Sequence, residues 1–221
     1  MVDLRRSAAL LRALARGKLL NDAAEEADFD LPQARAALND LAERLEIQHK
    51  KLAAERHQQK RAVAETKEKL SDPDQLFFVF DGGSRGNPGP SAGVAIAFDP
   101  QGAALVERHR YLPEATNNVA EYAGVLVALE LALELGVKNL RLRGDSELVV
   151  KQLRGEYKVK NKNLMNLVLA ANRQLRRFES WSIDYIPRED NAEADRLVNR
   201  ILNEKAPKKK KTPAKDEPEQ S

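Results

Sequence analysis

Cysteine is absent from the 221 residues, so neither a disulfide framework nor a thiolate metal site can form. That absence suits a reducing compartment, and the cytoplasm is the expected location. Histidine occurs at positions 49, 57 and 109 only, with no ligand spacing, and all three are expected at the surface. Aromatic residues make up 5%, with a single Trp at 181, read as a core residue opening a strand. No apolar run approaches the length that spans a bilayer, so no membrane association is expected. The Arg- and Leu-rich opening MVDLRRSAALLRALARG invites comparison with a transit peptide. Asp3 and the acidic segment that follows argue against it, because such peptides are acid-poor.

What is present fits one good domain with an appendage: 42% hydrophobic and 32% charged residues. The net charge of +3 is unevenly spread. Residues 1–70 hold 14 basic and 12 acidic side chains, residues 71–205 hold 18 and 19, and residues 206–221 hold 5 and 3. The central part is therefore not basic overall. A polyanion would have to be met by local patches, bound cations and the appendages.

Residues 1–47 read as three helices with apolar stripes at Leu4, Leu10, Leu11 and Leu14, then at Leu38, Leu41 and Leu45. Asn21 or Asp22 is expected to cap the second, and Pro32 to open the third. The spacing resembles a helix-turn-helix, and a plain three-helix packing module explains it equally well. Residues 48–75 are polar almost all round and read as an exposed helical linker; a heptad through Leu45 and Leu52 fails at Gln59. Residues 76–204 form a mixed α/β domain of order βββαβααβα. The strands are expected at 76–80, 93–98, 104–111, 139–143 and 181–186. The helices are expected at 117–135, 146–154, 161–178 and 190–203. Residues 205–221 have the composition of a disordered basic and polar tail.

Four acids stand in this domain at element ends. Asp81 follows the first apolar strand in FFVFDGGSRGNPGPSAG, and Glu121 lies one turn into the helix of TNNVAEYAG. Asp145 follows the fourth strand in LRLRGDSELVV, and Asp195 opens the last helix in PREDNAEADRLVN. A right-handed crossover through 117–135 would set strand 139–143 parallel to strand 76–80. Asp81 and Asp145 would then share the carboxyl edge where open sheets bind ligands. Four converging carboxylates repel one another unless divalent cations lie between them, the pattern of a two-metal phosphodiester site. Oxygen ligands without His or Cys point to Mg²⁺ or Mn²⁺ rather than zinc.

Together DGGSRGNPGPSAG, TNNVAEY, GDSELVVKQL and REDNAEADRLVN resemble type 1 ribonuclease H, in its short bacterial and archaeal reverse-transcriptase-like branch. The resemblance covers about 76–204. It implies a five-stranded mixed sheet flanked by helices, and a small all-α segment precedes that sheet here. It implies hydrolysis of the RNA strand of an RNA–DNA hybrid, leaving 5′-phosphate and 3′-hydroxyl ends. Asp81, Glu121, Asp145 and Asp195 fall on the family's catalytic metal ligands. The resemblance assigns Asp81 and Asp195 to one ion, and Asp81, Glu121 and Asp145 to a second. It marks Ser84, Asn87 and Asn117 as sensors of the 2′-hydroxyl, Thr116 as a phosphate contact, and the glycines of 82–89 as a place of close approach to the minor groove. Lys158 and Lys160 head a basic strip that could track the DNA strand. Two departures stand out: residues 186–194 lack the His that many members carry, with Arg188 or Glu189 in that neighbourhood, and Glu147 replaces a common Gln. An acid at Glu147, facing a nucleic-acid groove, would weaken binding unless it turns away or pairs with Lys151, four residues on.

Singly, each acid has a plain structural reading: a turn residue, a helix cap or a first-turn acid. Their joint register favours the metal site. The alternative is a non-catalytic hybrid- or DNA-binding protein that uses the same fold plus a helix-turn-helix. Duplex DNA is a further expected partner, met through residues 1–47 and the basic tail. A monomer is expected.

Overall fold

The computed structural model describes residues 4–205, so the tail expected at 205–221 lies outside them but for Lys205. The chain divides into two units, Met1–Gln58 and Gln59–Ser221. Among the described residues no helix is long and apolar enough to cross a membrane.

The first unit contains α1 (Leu4–Ala15), α2 (Leu20–Glu26) and the start of α3 (Leu31–Lys69). Its core is small-residue packing: Ala13, Ala23, Ala24, Ala27, Ala34 and Ala37 around Leu10. The expected cap on α2 is not used; the helix starts at Leu20, and Leu19 precedes it without a side-chain bond. α3 starts on a reciprocal box instead. Asp30 Oδ1 accepts from Gln33 N at 2.7 Å, and Gln33 Oε1 accepts from Asp30 N at 3.2 Å. Much of the unit's positive charge is spent internally. Arg6 lies over the Phe29 ring, Lys18 pairs with Glu26, and Arg44 pairs with Asp40.

α3 runs unbroken for 39 residues, through the boundary expected at 47. Its last turns belong to the second unit and are not an exposed linker. Val63 is 3% exposed in the main core, with Ala62 and Leu70 packed against it. Gln59 bonds the ring of His109, which is therefore half-buried rather than a surface residue. Charged residues around Val63 dilute the local hydropathy and hide this apolar stripe.

The second unit is built on β1 (Phe77–Ser84), β2 (Gly89–Phe98), β3 (Ala104–Ala115), β4 (Asn139–Gly144) and β5 (Ser180–Tyr185). With α4 (Asn117–Leu135), α5 (Glu147–Leu153), α6 (Lys162–Leu175) and α7 (Ala192–Lys205) they follow the expected order. The sheet order is β3-β2-β1-β4-β5. β1 pairs antiparallel with β2 and parallel with β4, so the crossover through α4 does what the sequence implied. Three strands are longer than the apolar runs suggest, because β1 continues through Asp81–Ser84, β2 begins at Gly89 and β3 runs on to Ala115. α4 begins on Thr116, whose Oγ1 accepts from Val119 N, and stops at Gly136 with φ +89°.

The larger core lies between the sheet and α4, α5 and α6, around Phe78, Phe80, Leu129, Leu140 and Leu142. A smaller one joins the opposite face to α7 through Val79, Val94, Ile96, Leu197 and Ile201. Trp181 is 39% exposed, contrary to its reading as a core residue, because β5 is an edge strand.

Val63→Asp should destabilise the protein by about 3 kcal/mol, since it buries an unpaired charge. Leu52→Asp, at a position 42% exposed, should stay within about 0.5 kcal/mol of wild type. Equilibrium unfolding in urea measures both.

Candidate active site

The site is set by how closely α4 lies on the sheet. A Cβ at Gly82 would stand 2.1 Å from the carbonyl carbon of Ala120 and 2.2 Å from the nitrogen of Glu121. A Cβ at Gly124 would stand 2.3 Å from the carbonyl oxygen of Asp81. Backbone therefore meets backbone, and Glu121 is delivered beside Asp81 on β1. Gly89 is crowded in the same way by the Arg85 carbonyl, and Gly83 by the side chain of Val198. Gly82, Gly83 and Gly89, within the stretch read as approaching a minor groove, thus also pack the protein against itself.

Asp81 is 7% exposed and Glu121 8%. With half-buried Asp145, just after β4, they bring one carboxylate oxygen each to within 4.8 Å of one another. Each acid has a neighbour that orients it. Asp81 Oδ1 accepts from Gly82 N at 2.7 Å, and Asp145 Oδ1 accepts from Asn191 Nδ2 at 2.8 Å. The Asn117 side chain lies near Glu121 and acts to lower its pKa. Asp195 stands outside the trio. Its Oδ1 faces Arg188 at 3.3 Å, and its Oδ2 accepts from Asn199 at 3.0 Å. Its charge still reaches Asp81, so it shares the same end of the sheet.

Burial, then the charge of Asp145, raises the Asp81 carboxyl to about 7. Burial, then the charge of Asp81, raises Glu121 to about 9. Arg188 opposes both shifts. Glu121 Oε2 is buried without a hydrogen-bond partner. Packed carboxylates and an orphaned buried oxygen fit a divalent cation well, which would satisfy the oxygen and cancel the repulsion.

The remaining expected residues are placed as follows. Ser84 donates to the carbonyls of Gly86 and Ala115, the latter at 3.1 Å. Asn87 Oδ1 accepts from Asn117 N at 3.1 Å, tying the loop after β1 to the start of α4. Thr116 and Asn117 are exposed there, and the Thr116 oxygen also serves as the helix cap. Lys158 and Lys160 are exposed in the loop before α6. Glu147 pairs with Lys151 at 2.5 Å, the second of the two alternatives left open for it. Asn191 was not foreseen. It is a wholly buried carboxamide in the 3₁₀ turn Arg188–Asn191, and an Asn among acids before a helix carries no signal beyond capping.

The sequence profile of the family described as reverse transcriptase-like matches residues 79–201. The chain belongs to this family. It is 41% identical over 130 residues to ribonuclease HI of Halobacterium salinarum, covering 59% of this chain and 65% of that one. It is 39% identical over 124 residues to the bifunctional protein Rv2228c of Mycobacterium tuberculosis, covering 56% of this chain and 34% of that one. The chain thus spans less than two thirds of these relatives. The crystal structure of the Halobacterium ribonuclease H1 superposes with a TM-score of 0.57 at 40% identity, over 58% of this chain and 98% of that one. LC11-RNase H1 in complex with an RNA/DNA hybrid gives 0.56 at 37%, over 58% and 97%. The five-stranded sheet with its flanking helices is the fold these ribonuclease H1 domains share.

The raised carboxyls give the protein without added metal a defined pH response. In the folded state Asp81 and Glu121 hold protons that the unfolded chain has already released above about pH 4. Stability should therefore fall as pH rises from about 4 through 7 towards 9. Added Mg²⁺ should recover it most at the alkaline end, and melting temperatures with and without the ion would show this.

Proposed function

We propose that this chain cuts the RNA strand of RNA–DNA hybrids endonucleolytically, leaving 5′-phosphate and 3′-hydroxyl ends. The observation that carries the reading is the trio Asp81, Glu121 and Asp145, sunk at the carboxyl edge of parallel strands with a carboxylate oxygen unpartnered. Likeness to ribonuclease H1 domains, one of them bound to an RNA/DNA hybrid, supports the choice of substrate. We take the cofactor as two Mg²⁺ or Mn²⁺ ions, one held by Asp81 and Asp195, the other by Asp81, Glu121 and Asp145. Such ions, when bound, activate water and stabilise the charge that develops on the departing 3′ oxygen.

The protein's own part is positioning and proton control. Glu121 must give up the proton it holds near neutrality before its carboxylate can ligate. The Asn117 side chain near that carboxyl favours the ionised form. Asp195 must exchange its contact with Arg188 for an ion. On the rim, Asn87 has its oxygen engaged by Asn117 N, so its NH₂ is the group offered to a 2′-hydroxyl. Ser84, Thr116 and Asn117 complete that rim, while Lys158 and Lys160 meet DNA-strand phosphates.

Residues 1–47 and the basic tail aid capture of duplex DNA; the Lys208–Lys211 run supports this most, since Arg6, Lys18 and Arg44 are engaged within their own unit. We take the protein to be a cytoplasmic monomer.

Wild type with Mg²⁺ or Mn²⁺ should cleave a labelled hybrid, and Asp81→Asn should lose at least about 10³-fold in rate. Binding of the hybrid by wild type with no cleavage at any metal concentration would favour the non-catalytic alternative. Arg188→Ala removes a charge that lowers both raised carboxyls, so the acidic limb of the pH–rate profile should move to higher pH.

A further inference from the structure

We propose that Asn191 is a positioning residue of the carboxylate site, one that fixes the Asp145 carboxylate and thereby sets the affinity for divalent cation. This deepens the functional reading above and rests on it.

Asn191 is 0% exposed. Its Nδ2 lies 2.8 Å from Asp145 Oδ1 and 3.3 Å from the carbonyl oxygen of Phe80. Both neighbours are oxygens, a backbone carbonyl and a carboxylate, and the amide presents its nitrogen to them. Its two N–H groups are thereby committed, one to each. Phe80 immediately precedes Asp81, and the turn that carries Asn191 leads into α7, which carries Asp195. One side chain therefore joins β1 just before Asp81, the acid after β4 and the approach to α7.

The Oδ1 of Asn191 is buried with no hydrogen-bond partner. A residue kept only to fill space would avoid an unsatisfied acceptor, and an apolar side chain of the same volume would do so. What Asn191 has and Leu lacks is a pair of donors aimed at Asp145 and at the strand beside Asp81. Their neutrality matters as much as their direction. A Lys or Arg at this place would neutralise Asp145 and compete with a cation, whereas an amide orients the carboxylate and leaves its charge intact. Groups that hold a ligand from behind in this way commonly contribute 10–100-fold in metal affinity or activity.

The test uses the full chain and Mn²⁺ alone as probe, titrated calorimetrically into wild type, Asn191→Leu and Asn191→Ser. Leu keeps the volume and removes both donors; Ser keeps one donor on a shorter arm. The expected result is Mn²⁺ binding weakened by about 10–100-fold in Asn191→Leu and by less in Asn191→Ser. The Mn²⁺ concentration for half-maximal cleavage should rise in parallel, with KM for the hybrid at saturating Mn²⁺ within about 2-fold of wild type. If Asn191→Leu melts without cooperativity, Asn191→Ser decides alone. A folded variant with a lowered melting temperature and wild-type Mn²⁺ affinity would show a merely structural role and overturn the proposal, while leaving the nuclease reading intact. Wild type that neither binds Mn²⁺ nor cleaves would overturn both.

Discussion

The contact of backbone on backbone between α4 and β1 decides the rest of this molecule. Gly82 and Gly124 have no side chains, so the first turns of α4 settle directly on β1 where it carries Asp81. A single methyl at either position would drive the helix away by more than an ångström, because the groups in its path are main chain and cannot swing aside. Glu121 reaches Asp81 only because that separation is so small. The crossover to β4 then adds Asp145 from the neighbouring parallel strand.

Bringing acids together inside a protein costs free energy, and the structure shows where the strain falls. Asp81 and Glu121 answer burial and mutual repulsion by holding protons to about pH 7 and 9. Asp195, less buried, instead takes a cation from its own chain, Arg188. The trio and the outlier are two responses to one electrostatic problem. A divalent cation is the natural third, since it removes the repulsion and satisfies the unpartnered oxygen of Glu121. Function and instability thus have the same source, as expected where a site is built for charge it does not itself contain.

Much of this could be read from the chain, for identifiable reasons. Each acid sits beside an explicit local signal: the Thr116 cap and Gly136 stop that bound the helix of Glu121, or the apolar run before Asp81. The parallel pairing of β1 and β4 followed from the handedness of crossovers, which holds regardless of sequence detail. What could not be read depends on distances between remote residues. Nothing local distinguishes Asn191 as a wholly buried donor, or turns Asp195 towards Arg188 and Asn199. Val63 is masked by the charges around it, although it belongs to the main core. Trp181 was misjudged because strand pattern does not say which strand lies at an edge. Spacing likewise shows that the backbone at these glycines comes close to something, and the distances add that Gly82, Gly83 and Gly89 have close neighbours within the protein.

The central claim is that Asp81, Glu121 and Asp145 form a receptacle for divalent cation. It is tested most directly by crystals grown or soaked in Mn²⁺, with data collected at the manganese absorption edge. An anomalous peak within about 2.2 Å of oxygens from at least two of these three carboxylates is the result the structure predicts. Manganese bound only elsewhere on the surface, with the three carboxylates still packed together and no peak between them, would contradict it.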